Sequence, residues 1–284
     1  TDTAFVARKA AELDKKFQEL DPNTVIGFVC EPISGAALGC VPFVPRYLAA
    51  MKAVCTKYNA LFILDEIMCG MGRSGTLHAW QAEHSDELGS NCVPDIQTIG
   101  KGLGGGYQPI AAVLIGHRIV QALKDGSGSF HHGQTYQAFP VACAAALAVQ
   151  MIIKRDKLLE NVRTRGAYLQ CLLQEKLDSH PHVGDIRGVG LFWGIEFVKD
   201  KATKEPFDPK FNIAKRIHVT AMQKWSMSFY PGQGTADGIR GDHIIIAPAY
   251  NVTNEDVKLI ANTTYSVIKE AFEDFHREEI ITKI

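Results

Sequence analysis

The sequence predicts an α/β protein: a mainly parallel sheet layered with helices, followed by a smaller α+β region. Three observations predict it. Short continuous apolar runs alternate with segments of helical periodicity through the first half, the pattern of a sheet with crossover helices on its faces. After about residue 150 the texture changes to long helices and strands that look antiparallel. The chain is 284 residues long and 46% hydrophobic, enough for one large or two ordinary domains. The expected division is 1–154 for the α/β layer and 155–284 for the smaller unit.

Residues 3–20 read as a helix with Ala4, Ala7, Ala11, Phe17 and Leu20 on one side, ended by Asp21-Pro22. The run Val25 to Cys30 suits a strand covered on both faces. Residues 45–58 return to helical spacing through Leu48, Met51, Val54, Cys55 and Tyr58, and Leu61 to Leu64 is a second strand. Residues 84–94 are polar and loop-like. Ile96–Ile99 and Ala111–Ile115 are the third and fourth strands. Ala138–Lys154 is an Ala-rich helix. The next helix carries Leu158, Leu159, Val162, Leu169, Leu172, Leu173 and Leu177 on its apolar face. Strands are expected at Gly190–Val198, Met227–Tyr230 and His243–Ala247. Thr253 followed by Asp256 is a capping-box pattern, opening a final helix that buries Val257, Ile260, Ala261, Thr264, Val267, Ile268, Ala271 and Phe275.

Composition narrows the function classes. The formal net charge is −1 and there is no charged tail, so nothing draws the chain to nucleic acid or a membrane surface. No apolar run approaches the roughly 20 residues of a membrane helix, and the first residues lack a secretory apolar stretch. The chain opens directly on a helix, like a piece that starts in the middle of something. Seven scattered cysteines without a Cys-x-x-Cys pair read as buried free thiols in a reducing compartment, the cytoplasm. No metal site is expected, because His131 and His132 are adjacent and adjacent side chains rarely converge on one ion.

Ligands of open α/β sheets bind beyond the carboxyl ends of the strands. Glu31 follows the first apolar strand, Asp65 and Glu66 the second, and Gly100 and Lys101 the third. Charges at such positions are costly unless paired or used. A partly desolvated lysine there becomes a nucleophile towards a carbonyl. An aspartate beside it has a natural partner in a pyridinium nitrogen. The plain alternative is an ion pair of Lys101 with Asp65 or Glu31. Gly102, Gly104, Gly105 and Gly106 leave room for movement behind the lysine. They do not form a dinucleotide fingerprint, since Tyr107 stands at its last glycine, nor a phosphate-binding Walker loop, since Lys101 precedes them.

The run Leu64-Asp65-Glu66-Ile67 through Gly70, Gly72, Arg73 and Gly75 resembles the LxDEVxxGxGRxG signature of class III aminotransferases. Thr98-Ile99-Gly100-Lys101 with its glycines resembles that family's lysine loop. His132-Gly133-Gln134-Thr135-Tyr136 with Pro140 resembles its HGxTYxxxP segment, and Glu31-Pro32-Ile33 its VEPI strand end. Gly241-Asp242-His243 through Ala247-Pro248 resembles a C-terminal block of the amine and omega-type branch. The resemblance implies fold type I and pyridoxal 5'-phosphate (PLP). Lys101 is then the Schiff-base lysine that also shuttles the proton, Asp65 the partner of the ring nitrogen, and Ile67 the aliphatic neighbour of the ring. Thr135 reaches the phosphate of the partner subunit's cofactor, which implies a homodimer with shared active sites.

Departures from the family pattern sharpen the expectation. The family's N-terminal part, with its phosphate-cupping helix and ring-stacking aromatic, has no counterpart before Glu31. The arginine that many members place two residues before Ala-Pro is Ile245 here, and its acidic partner falls near Ala36, which argues against ornithine- and GABA-type substrates. Arg240 is the candidate for a substrate carboxylate, against a structural pairing with Asp237 or Asp242. The leading reading is transamination between an amino donor and a 2-oxo acid or aldehyde. The alternatives are a truncated, catalytically silent homologue acting as a dimerisation or regulatory partner, and a Schiff-base aldolase.

Overall fold

The structure, a computed structural model, describes residues 1–84 and 91–282. The chain forms two compact units: residues 1–33 with 43–159, and residues 34–42 with 160–284. The short segment 34–42 therefore belongs with the C-terminal half, a non-local packing that no local pattern announces.

The first unit opens on helix α1 (Asp2–Glu19) and strand β1 (Gly27–Cys30). The stripe of α1 that packs inward is Val6, Ala10, Leu13 and Phe17; of the expected set only Phe17 belongs to it, and Ala4, Ala7, Ala11 and Leu20 are exposed. Only the 6-10-13-17 spacing keeps to one line of a 3.6-residue helix. Phe17 stacks on Tyr58 with ring centroids 4.9 Å apart. Two short strands, β2 (Ile33–Ser34) and β3 (Val41–Pro42), bracket the segment that leaves this unit. Helix α2 (Tyr47–Lys57) starts without a local cap, and the buried carboxylate of Glu83 accepts from the backbone N–H groups of Leu48 (3.3 Å) and Ala49 (2.7 Å). A carboxylate at those orphan N–H groups satisfies both their bonding and the helix dipole.

Strand β4 (Leu61–Asp65), the short helix α3 (Gln81–His84), β5 (Ile96–Ile99) and β6 (Ala112–Ile115) follow, then helices α4 (His117–Asp125) and α5 (Pro140–Arg155). Residues 85–90 of the expected polar loop lie outside the described residues. The sheet order is β1-β4-β5-β6, parallel across the first two pairings and antiparallel at β5–β6. Leu48, Met51, Cys55, Phe62, Leu64 and Cys92 form the core beneath it. One expectation is corrected: β1 is covered on one face only, with Val29 exposed. Helix α4 was not among the expected elements, and none of its residues is buried.

The second unit contains α6 (Leu158–Leu177), β7 (Val183–Val189), β8 (Phe192–Phe197), α7 (Ile213–Lys224), β9 (Tyr230–Gln233), β10 (Asp242–Ile246) and α8 (Asn254–Thr282). Its sheet, β7-β8-β10-β9, is antiparallel throughout. β9 begins where the expected strand was to end, and β7 and α7 were not anticipated from the sequence. Leu169, Leu173 and Leu177 of α6, Ile195 and Phe197 of β8, and Val257, Val267 and Ile268 of α8 form one buried core. Burying each such side chain contributes about 1.5–3 kcal/mol. The capping box is present: Thr253 N–H donates to Asp256 Oδ2 (2.8 Å) and Asp256 N–H to Thr253 Oγ1 (3.2 Å).

All seven cysteines are free. Cys143 and Cys171 are exposed rather than buried, because each sits on a helix face turned away from the core of its unit. No described helix is long and apolar enough to cross a membrane.

Candidate active site

The carboxyl edge of the parallel strands carries the residues expected to do chemistry. Asp65 ends β4, and its register partner across the parallel pair is Thr98 of β5. Asp65 is half-buried, so its carboxylate needs local donors. Oδ1 receives two: the Ile67 N–H at 3.0 Å and the Thr98 hydroxyl at 3.1 Å. Oδ2 has no hydrogen-bond partner among the described residues. One oxygen is satisfied and the other is open.

Lys101 follows β5 after a single glycine. Its backbone is left-handed, with φ +41°, a conformation that costs a non-glycine residue energy and clusters at functional sites. The residue is exposed, where the sequence suggested partial desolvation. It makes no ion pair and no side-chain hydrogen bond, so the expected alternative of a structural pair with Asp65 or Glu31 is absent for this described residue. A Cβ on Gly100 would lie 3.5 Å from Ile67 Cγ2, which puts Ile67 beside the lysine loop. Asp65, Ile67 and Lys101 are thus neighbours at one sheet edge.

Glu66, one residue beyond Asp65, points the other way and is fully buried. Its carboxylate accepts from the N–H groups of Ala79 (2.7 Å) and Trp80 (2.9 Å). Burial pushes this carboxyl up to about 7, against the opposing pull of the Trp80 and Ala79 N–H groups and the Gln97 side chain. A Cβ on Gly70 would sit 2.7 Å from Glu66 Oε2, so only glycine fits there. In the signature, Asp65 faces the open edge while Glu66 and Gly70 fold the loop beneath it. Gln97 joins that support, accepting from Trp80 Nε1 (3.3 Å) and meeting His78 Nδ1 (2.9 Å).

The glycine loop is held from α5. Gln150 Nε2 donates to the carbonyls of Gly102 (3.3 Å) and Leu103 (2.9 Å). Thr135 lies on the wholly exposed stretch 124–141, just before α5. Tyr136, Phe139, Val141, Leu147, Met151 and Ile152 leave an apolar surface uncovered there.

Arg240 belongs to the second unit, in the turn between β9 and β10. Its guanidinium Nε donates to Asp237 Oδ2 at 2.6 Å, while Asp237 Oδ1 accepts from the N–H groups of Ile239 (3.0 Å) and Arg240 (2.7 Å). The backbone and side-chain bonds from Arg240 hold the Asp237 carboxyl down to about 2. Of the two structural partners weighed for Arg240, the structure has Asp237. Asp242 is buried and caps α7 by accepting from Ala214 N–H (3.0 Å). Ile245 is buried in β10. The support roles of Thr98 and Gln150 were not expected from sequence; they depend on strand register and on contacts between distant segments.

A parallel sheet with Asp65 and Lys101 at the ends of neighbouring strands, and a separate antiparallel sheet, is the α/β arrangement of the fold type I transaminases that this chain resembles in structure. The chain belongs to the class III aminotransferases: it matches the family described as Aminotransferase class-III over residues 3–264. It is 54% identical over 271 residues to an aminotransferase of Gibberella zeae, covering 95% of this chain and 51% of that protein. It is 34% identical over 287 residues to the diaminobutyrate–2-oxoglutarate transaminase of Halomonas elongata, covering 99% of this chain and 57% of that one. Among solved structures, the omega transaminase from Pseudomonas jessenii in complex with PMP superposes with a TM-score of 0.83 at 30% identity, over 96% of this chain and 57% of that chain. The chain therefore spans little more than half the length of these relatives. The fold is fold type I, with a mainly parallel α/β sheet and a separate C-terminal α+β unit built on an antiparallel sheet.

Proposed function

We propose that this chain carries the catalytic lysine of a PLP-dependent transaminase that moves an amino group from an amine or amino acid to a 2-oxo acid or aldehyde. The observation that carries this reading is that an unengaged Lys101 and a half-satisfied Asp65 lie just beyond and at the ends of neighbouring strands. The donor set fits PLP at both reactive ends: an amine for its carbonyl and an open carboxylate oxygen for its ring N–H. When bound, PLP supplies a carbonyl that captures amines and a ring that accepts the electron pair released at the substrate carbon.

Lys101 Nζ is the group that takes the proton from the substrate carbon and returns it, as a general base and then acid. Its left-handed turn projects it from the strand end. Asp65 Oδ2 would keep the proton on the ring nitrogen, and Ile67 would be the aliphatic neighbour of the ring. Thr135 would offer its hydroxyl and N–H to the phosphate of the cofactor in the partner subunit. The uncovered apolar surface from Tyr136 to Ile152 supports a homodimer with shared active sites. Arg240 receives the carboxylate of the 2-oxo acid after leaving Asp237. The free cysteines support a cytoplasmic setting.

The test uses the complete gene product. Borohydride reduction in the presence of PLP, followed by peptide mapping, is expected to place the cofactor on Lys101. Lys101→Ala is expected to abolish both the label and amine transfer to pyruvate. A colourless dimer without label overturns the reading and supports the silent-partner alternative.

A further inference from the structure

The pairing of Asp65 with Thr98 has no necessity in strand formation. Valine would serve β5 as well, being β-branched and apolar. Threonine instead places a hydroxyl at the register position opposite Asp65, and that hydroxyl lies 3.1 Å from Oδ1. Successive side chains of a strand alternate between faces. Gln97 therefore turns into the buried support around Trp80 and His78, while Thr98 shares the face of Asp65. The Thr98 carbonyl also accepts from Glu66 N–H at 3.0 Å, which fixes the local register.

The consequence falls on the two carboxylate oxygens. Both donors reach Oδ1, so the rotation of the carboxylate is set and Oδ2 alone is presented to a ligand. With one donor removed, the carboxylate is held by the Ile67 N–H only and can rotate. We propose that Thr98 is a positioning residue that acts through Asp65 to hold the proton on the cofactor's ring nitrogen. This rests on the PLP reading given above.

The test uses the complete gene product loaded with PLP labelled with ¹⁵N in the ring. In the wild type the ring nitrogen is expected to give the protonated signal across the working pH range. In Thr98→Val the signal should move towards the unprotonated position, and the dissociation constant for PLP should rise roughly tenfold, as for loss of one hydrogen bond to a charged group. Thr98→Ser should restore both. On an Asp65→Asn background, Thr98→Val should change neither, because Thr98 then has no carboxylate to act through. Should Thr98→Val not fold, Thr98→Cys, with its weak donor, carries the same comparison. A wild-type signal in Thr98→Val, even with a lowered melting temperature, overturns the positioning role and leaves the PLP reading intact. A wild-type protein that takes up no PLP overturns both.

Discussion

Gln150 on α5 donates its side-chain amide to the carbonyl of Leu103, 2.9 Å away in the loop that carries Lys101. The same nitrogen reaches the Gly102 carbonyl at 3.3 Å. A helix thus holds the backbone of a loop whose glycines cannot hold themselves. Gln150→Leu keeps the side-chain bulk and removes the donor. It should cost about 1 kcal/mol of stability and raise amide hydrogen exchange across residues 101–106. Unchanged exchange in that stretch would show that the loop is held by something else.

Asp237 holds Arg240 by one side-chain oxygen and its turn by the other. Asp237→Asn keeps an acceptor for the two N–H groups but weakens the grip on the guanidinium. If Arg240 serves the substrate carboxylate, KM for pyruvate should fall several-fold in Asp237→Asn and rise in Arg240→Ala, with KM for an uncharged amine donor unaltered. Equal KM values for pyruvate in all three proteins would remove Arg240 from the substrate site.

The Glu66 carboxylate is the acceptor for two buried N–H groups. Glu66→Ala leaves both without a partner, at a cost of about 1–3 kcal/mol for each. Urea unfolding should show a large loss, and Asp65→Asn, one residue away, should show little. Comparable losses in the two variants would contradict the division of labour within the signature.

His243 lies fully buried in β10, and neither ring nitrogen completes a hydrogen bond among the described residues, although the Ala36 backbone approaches. Burial, and next the Arg187 guanidinium, hold the imidazole down to about 4. The unfolded chain takes up that proton near pH 6.5 and the folded one only near 4. The stabilising contribution is therefore full above about pH 6.5 and is lost as pH falls towards 4, on the order of 3 kcal/mol in all. Chemical denaturation at pH 7 and pH 4.5 should show the decline, and NMR should find the His243 ring neutral at pH 5.5. A ring that titrates near 6.5 would refute the assignment.

The sequence carried the α/β class, the signature around Asp65, the lysine after β5, and the capping box of α8. These are short-range properties: residue type, periodicity and the spacing of a motif along one segment. The amphipathic stripe of α1 was misread because small alanines mark a face weakly, whereas Val6, Leu13 and Phe17 show which side has partners. α4 and α7 were missing from the expected elements although both carry apolar residues at helical spacing, Ile119, Val120 and Leu123 in the first and Ile213, Ile217 and Ala221 in the second.

By itself, then, the sequence determined which chemical groups are available: an amine, a carboxylate, glycines that free a loop, and an arginine on a turn. Tertiary structure decided what each group faces. It gave Oδ1 of Asp65 two donors and left Oδ2 open, turned Glu66 inward, set Lys101 in a left-handed turn without an ion pair, and bound Arg240 to Asp237. Those outcomes depend on strand register and on contacts between segments far apart in the chain. Hydrogen-bond geometry is satisfied or lost over a few tenths of an ångström, a scale that residue order alone does not fix.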